Sequence, residues 1–278
     1  MIKKQVSIQT EGSMPDTHAD FYLIDKSESF YKNTHPFIIV CPGGGYTHTS
    51  MREGDPMAFR FLSMGFHVAV LRYSCAPAEY PTALCELAAV MKLIHENAEE
   101  WGVEEDHIVV QGCSAGGHLA ASLGVFWQEK WLAERMNMEN EMLRPAGMLL
   151  CYPVITSGQY AHEGSFISLL GKQYSEEMLE KMSLEKQVTK DTPPAFLWHT
   201  FTDEAVPVQN SLLFIEALKQ YEIPTEFHMY PVGRHGLSVC DIQGADPTGH
   251  GIEEACQSWV PLAKRWLQEL CDVNRITV

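Results

Sequence analysis

The segment Val109-Val110-Gln111-Gly112-Cys113-Ser114-Ala115-Gly116-Gly117-His118-Leu119-Ala120 carries the residue types and spacing that can do chemistry. An apolar β-branched run, Ile108 to Val110, leads into G-C-S-A-G, and a helix-forming segment, His118 to Phe126, follows at once. A strand that stops, a serine between two glycines and a helix that starts immediately form the pattern of a nucleophile elbow. Without a Cβ, Gly112 and Gly116 let the backbone close around a strained turn. The turn lifts the Ser114 hydroxyl out of the sheet and aims the following amides at a developing oxyanion. This predicts nucleophilic attack by Ser114 on an acyl carbon. A serine hydroxyl is a weak nucleophile. The rest of the chain must therefore supply a base, an acid to orient that base, and a second source of oxyanion donors.

The elements that would position these groups follow from apolar runs and their breakers. Val6 to Thr10 and Phe21 to Asp25 read as edge strands. Phe37 to Cys41 is a continuous apolar run, expected of a strand buried on both faces. It ends in Pro42-Gly43-Gly44-Gly45-Tyr46, with a loop to Asp55. Pro56 to Met64 has helical spacing, His67 to Arg72 is a strand, and Pro81 to Glu100 is a long amphipathic helix closed by Gly102. Beyond the elbow, Glu129 to Arg144 is a polar connection, and Gly147 to Tyr152, Ala195 to Thr200 and Thr225 to Tyr230 are strands. Helices are expected at Pro207 to Tyr221 and Glu253 to Cys271. Strand and helix alternate, which predicts an α/β fold: a mostly parallel, doubly wound sheet of about eight strands with helices on both faces. Residues 156–192 hold no strand pattern and are expected to form a small cap-like insertion in a single domain spanning 1–278.

In a doubly wound sheet, functional groups collect at the carboxyl ends of the strands. The loop after Ala195–Thr200 contains Asp203, and the loop after Thr225–Tyr230 contains His235. The chain order Ser114, Asp203, His235 is that of serine hydrolases built on such sheets. In this arrangement Asp203 fixes the His235 tautomer, and the other ring nitrogen takes the Ser114 proton and returns it to the leaving group. His199 and His250 are rivals for the base. His199 lies inside an apolar strand end, and His250 is in a Gly-rich loop well past the last strand. Glu204 and Asp241 are rivals for the acid; Asp241 follows the base and breaks the order. Cys113 is expected to pack, because Ser114 already holds the apex. The oxyanion donors are expected from the amides of Ala115 and of Gly44 and Gly45, which sit where lipases and esterases carry an H-G-G-G element. Tyr46, His48 and Arg52 are candidates for lining the substrate pocket.

Together, CPGGGY, EGDP, LRYS, GCSAGGHLA, HTFTDEAVPVQNS and GRHGL resemble the α/β-hydrolase fold, and within it the esterase/lipase group of acetyl-xylan-esterase-like proteins and feruloyl esterases. The resemblance runs from about residue 36 to the end. Pro42 stands where the lipase element has His, and Cys113 where many relatives have a larger residue. The resemblance implies hydrolysis of a short acyl ester, often an acetyl group on a carbohydrate, with no metal or organic cofactor. A peptidase or amidase on the same fold, and a non-catalytic binding protein that kept it, are the alternative readings.

Composition bounds the partners. The net charge of −16 over 278 residues argues against nucleic acid and anionic lipid surfaces, where Lys and Arg must neutralise phosphate. The expected partner is a small-molecule or oligosaccharide ester; the sequence sets no oligomeric state. MIKKQVSIQTEGSMPD lacks an apolar signal region, and no run reaches transmembrane length, so a cytoplasmic protein is expected. The eight cysteines are scattered singly, several in apolar runs, which suits buried thiols and not a zinc site.

Overall fold

The computed structural model describes residues 1–272; the last six residues of the expected 1–278 domain lie outside the described residues. Eight strands form one sheet in the order β1-β2-β4-β3-β5-β6-β7-β8. They are β1 (Ile2–Ser7), β2 (His18–Leu23), β3 (His35–Cys41), β4 (His67–Arg72), β5 (Val103–Cys113), β6 (Gly147–Cys151), β7 (Ala195–Thr200) and β8 (Thr225–Tyr230). β1 and β2, and β2 and β4, pair antiparallel; every other neighbouring pair is parallel. The carboxyl ends of β3, β5, β6, β7 and β8 therefore share one edge of the sheet.

The strand sequences explain the layering. Successive side chains point to opposite faces. Ile39, Val110, Leu150 and Leu197 enter one buried cluster, while Ile38, Val40, Val109, Leu149 and Phe196 enter the other. The first cluster is closed by α2 (Thr82–Glu96), α4 (Ala115–Phe126), α5 (Lys130–Met136) and α8 (Gln209–Gln220). The second is closed by α1 (Asp55–Leu62) and α9 (Trp259–Leu270), whose Trp259 stacks on Trp198 at 5.3 Å and 16°. Fully burying each such Leu, Ile or Phe contributes about 1.5–3 kcal/mol, so two apolar faces on every central strand are what hold the sheet. At the antiparallel edge, Lys3 and Lys4 stand on β1, a charged edge that discourages further pairing.

Several boundaries differ from the sequence reading. β1 and β2 begin three to four residues earlier than expected, because the lysines of β1 face solvent and hide its alternation. The long helix expected from Pro81 to Glu100 breaks at Asn97, whose side-chain amide donates to the Leu93 carbonyl at 2.8 Å. α3 (Ala98–Trp101) then restarts and ends at Gly102, φ +72. β5 begins at Val103, earlier than Ile108, and shifts register between His35 and Phe37 on its partner. The polar Glu104-Glu105-Asp106 run hides that start. Within residues 156–192 are α6 (Glu163–Leu170), α7 (Glu176–Lys181) and a 3₁₀ turn, Leu184–Lys186. Among the described residues no helix is long and apolar enough to cross a membrane. All eight cysteines are free thiols, seven of them buried.

Two buried histidines brace the fold. His67 Nδ1 accepts from the Ile24 amide at 3.0 Å and Nε2 donates to the Gly102 carbonyl at 3.2 Å. His118, on α4, accepts the Tyr46 hydroxyl at 3.0 Å and donates to the Met182 carbonyl at 3.0 Å. Burial lowers both imidazoles to about 4; the neighbouring His35 ring also acts on His67. Between pH ~6.5 and ~4 the unfolded chain therefore binds protons that the folded chain does not. Stability should fall as pH drops through that window, by roughly 1 kcal/mol per pH unit for each group at its steepest. Urea unfolding at pH 7, 6, 5 and 4.5 measures this, and His118→Gln should flatten the slope. An unchanged slope in that variant would show that His118 is not a source of the acid sensitivity.

Candidate active site

Ser114 stands between β5 and α4 at φ 53°, ψ −120°, a backbone conformation rare for a residue with a side chain. The glycines allow it. A Cβ on Gly112 would lie 2.0 Å from the Gly116 carbonyl oxygen, and one on Gly116 would lie 2.0 Å from that of Cys41. The Ser114 amide donates to the Cys151 carbonyl at 3.0 Å, and its carbonyl accepts from His118 and Val154 at 3.1 and 3.0 Å. The turn is thus tied to β6 and to its own helix. With Ser114 only 8% exposed, the free positive end of α4 points at its surroundings.

The structure brings Ser114, His235 and Asp203 into one hydrogen-bonded line. His235 Nε2 lies 2.7 Å from Ser114 Oγ, and His235 Nδ1 lies 2.7 Å from Asp203 Oδ2. A carboxylate only accepts, so Nδ1 carries the proton and Nε2 is free to accept from the serine. Asp203 Oδ1 accepts from the Ala205 and Val206 amides at 3.0 and 2.9 Å. Burial alone would raise the Asp203 carboxyl. Hydrogen bonds from His199, His235 and the Val206 amide outweigh it and hold the group well below the usual carboxylate range. Such a line can draw a proton from a serine hydroxyl and support the imidazolium that forms.

The rivals take other places. His199 is fully buried under Asp203, with Nε2 3.4 Å from its Oδ2 and 2.9 Å from the Val206 carbonyl, while Nδ1 accepts from Ser211 Oγ at 2.8 Å. It braces the acid. Glu204 is exposed, and Asp241 pairs with Arg60. The Cys113 thiol is buried against Gln111, and burial pushes it well above its ordinary value.

Ser114 and His235 open into a cavity of about 240 Å³, also lined by Gly44, Gly45, His48 and His162. The loop after β3 turns its carbonyls inward: Gly44 accepts from the Thr47 amide at 3.0 Å, and Gly43 from Ser50 at 2.8 Å. The Gly44 and Gly45 amides have no acceptor among the described residues. Ala115, first in α4, has no intrahelical acceptor either. Of the three expected pocket residues, His48 and Arg52 line the cavity, and Tyr46 does not. The Tyr46 ring is buried against Tyr73 and His118, where its hydroxyl meets His118 Nδ1. Arg52 spends its guanidinium on backbone, donating to the carbonyls of Gly244, Gly236 and His250 at 2.7, 2.9 and 3.1 Å.

Ser50, Glu53, His162, Gly236 and His250 also line the cavity and were not singled out for this place from sequence. His162 lies at the N-terminal end of α6, with Nδ1 2.8 Å from Ser165 Oγ; burial lowers its imidazole, and the charge of His235 adds to this. His250 comes from the segment held by Arg52, and Glu53 from the 3₁₀ turn Met51–Glu53 that also carries Arg52. Glu53 carried a signal as part of EGDP and Gly236 as part of GRHGL, and His250 was weighed only as a rival for the base.

The family model described as BD-FAE matches residues 20–218. Endo-1,4-beta-xylanase B of Butyrivibrio fibrisolvens is 37% identical over 210 residues, covering 73% of this chain and 33% of that protein. The acetylxylan esterase of Xylanibacter ruminicola is 26% identical, over 72% of this chain and 40% of its own length. The chain thus spans well under two thirds of these curated relatives. Among solved structures, an acetyl ester-xyloside bifunctional hydrolase from Caldicellulosiruptor lactoaceticus matches with a TM-score of 0.82 and 32% identity, over 96% of both chains. A carboxylesterase from Lactobacillus plantarum matches at 0.83 and 31%, over 97% of this chain and 98% of that one.

Arg52 makes a prediction about the loop that carries the base. A lysine cannot reproduce a planar fork bonded to three carbonyls. Arg52→Lys should cost about 1–3 kcal/mol and speed amide exchange across residues 236–251. Exchange at the unsubstituted rate there would show that the guanidinium does not hold the segment.

Proposed function

This chain belongs to the BD-FAE family, and from that premise we propose that it is a serine carboxylic-ester hydrolase removing short acyl groups, acetyl foremost, from small or oligosaccharide esters through an acyl-enzyme. The observation that carries the reading is the line from Asp203 through His235 to Ser114, two contacts of 2.7 Å, opening on a cavity shared with Gly44 and Gly45.

Ser114 Oγ attacks the ester carbonyl as His235 Nε2 takes its proton. Asp203, held as a carboxylate by His199 and two amides, steadies the imidazolium. The carbonyl oxygen gains charge between the amides of Gly44 and Gly45 on one side and Ala115 on the other. The intermediate collapses, the C–O bond to the alcohol breaks, and His235 gives its proton to the departing oxygen. Water then repeats the sequence on the acyl-serine, releasing the acid and restoring the Ser114 hydroxyl. A cavity of about 240 Å³ suits a short acyl group. The imidazoles of His48, His162 and His250 at its walls suit a hydroxylated alcohol. Residues 156–192 serve as the cap-like insertion that brings His162 over the serine.

Ser114→Ala should lower turnover of p-nitrophenyl acetate on the order of 10⁶-fold with unchanged circular dichroism. Asp203→Asn should lower kcat roughly 10⁴-fold by releasing the tautomer. A fluorophosphonate should label the unsubstituted protein at Ser114, and kcat/KM should drop steadily as the acyl chain lengthens from acetyl. Retained hydrolysis in pure Ser114→Ala protein sinks the serine mechanism. Absence of both labelling and turnover in the unsubstituted protein would favour the binding-protein reading.

A further inference from the structure

Glu53 is a buried acid, 4% exposed, that the acyl-transfer steps above do not use. Each of its oxygens has one hydrogen-bond partner among the described residues. Oε2 accepts from the Gly43 amide at 2.9 Å, and Oε1 accepts from the Tyr152 hydroxyl at 2.8 Å. The Tyr152 oxygen in turn accepts from the Ser238 amide at 2.9 Å. Tyr152 follows β6 directly, in a left-handed backbone conformation at φ +38°. Its ring meets the His235 ring edge to face, with centroids 5.2 Å apart. Burial keeps its phenol well above its ordinary value, so it remains a donor.

Three loops are linked through this carboxylate and the Tyr152 hydroxyl it holds. Gly43 immediately precedes the two amides expected to receive the oxyanion. Tyr152 touches the imidazole. Ser238 lies three residues past His235 and is tied again, through its hydroxyl, to the Arg52 carbonyl at 2.5 Å. The approach is close: a Cβ on Gly43 would stand 2.6 Å from Glu53 Oε2 and 2.9 Å from Ser114 Cβ. The carboxylate and the serine thus both pack against the bare Cα of the same glycine.

We propose that Glu53 is a positioning residue: through Gly43 and Tyr152 it sets the oxyanion amides and the His235 loop in register with Ser114. The proposal rests on the serine mechanism above. Its energetic basis is preorganisation. Donors aimed at a developing charge lose roughly 10²–10³ in rate when one is removed, and a misplacement of about 1 Å costs on the order of 10². A carboxylate that only satisfied a buried amide would add stability without affecting the chemical step.

Glu53→Gln keeps the shape and breaks the pattern. The Gln carbonyl can still accept from Gly43, but its NH₂ now faces the Tyr152 oxygen, which already accepts from Ser238, and the phenol proton loses its acceptor. Tyr152→Phe removes the link from the other end. In steady-state kinetics on p-nitrophenyl acetate, each variant should lose roughly 10²-fold in kcat with KM within about threefold. The rate of fluorophosphonate labelling at Ser114 should drop by a similar factor, because it forms the same kind of oxyanion. The double variant should be no more than about threefold worse than the weaker single, since both substitutions cut one tether. Should Glu53→Gln fail to fold, Tyr152→Phe alone reads the link by the same split of kcat from KM. The idea is overturned if kcat stays within twofold of the unsubstituted protein, if only KM changes, or if the two losses multiply. An unsubstituted protein that neither hydrolyses nor labels refutes the serine reading itself, a result distinct from any of these.

Discussion

Three pieces of backbone approach at the elbow more closely than any side chain would permit, and the rest of the site depends on that approach. Gly112 lies against the Gly116 carbonyl, and Gly116 against the end of β3. Ser114 is left in a conformation that costs on the order of 1–3 kcal/mol and persists only where the surroundings over-determine it. Here they do. β5 is hydrogen-bonded on both sides, to β3 and β6, and α4 is buried from Ala115 through Gly124. Pinning the elbow to β3 also fixes the distance between the serine and the glycine loop that follows β3.

Parallel strands then deliver the remaining groups to the same edge. The glycine loop follows β3, the serine β5, Tyr152 β6, Asp203 β7 and His235 β8. What lets five loops act together is buried hydrogen bonding. Asp203 is surrounded by donors, Glu53 joins two further loops, and Arg52 holds the segment beyond His235 by its carbonyls. In such surroundings each bond is electrostatically stronger than in water, and each group is aimed before substrate arrives.

Much of this was legible in the sequence, because local rules apply to it. Short runs punctuated by proline and glycine, apolar in β4 and β7 and mixed in β8, mark these strands at their observed limits, and alternation of strand and helix gives the doubly wound sheet. Position after a strand was enough to select Ser114, Asp203 and His235 from many serines, acids and histidines, and the structure joins those three. Contacts between distant loops were not legible. Tyr46 follows the glycines and reads as a pocket residue, yet its hydroxyl finds His118, 72 residues away, and the ring goes inward. Glu53 and Tyr152 are 99 residues apart and share no pattern that predicts their bond. His162 lies in a segment with little periodicity, so no pattern in the sequence places it in the cavity that Ser114 lines.

The measurement that bears most directly on the central claim is mass spectrometry of the protein acid-quenched during turnover of p-nitrophenyl acetate. The serine mechanism predicts an acetyl adduct that forms and decays with turnover, carried on the peptide containing Ser114 and localised to that residue by fragmentation. Turnover accompanied by an adduct on another residue, Cys113 included, would contradict it. So would turnover with no adduct under conditions where deacylation is the slow step.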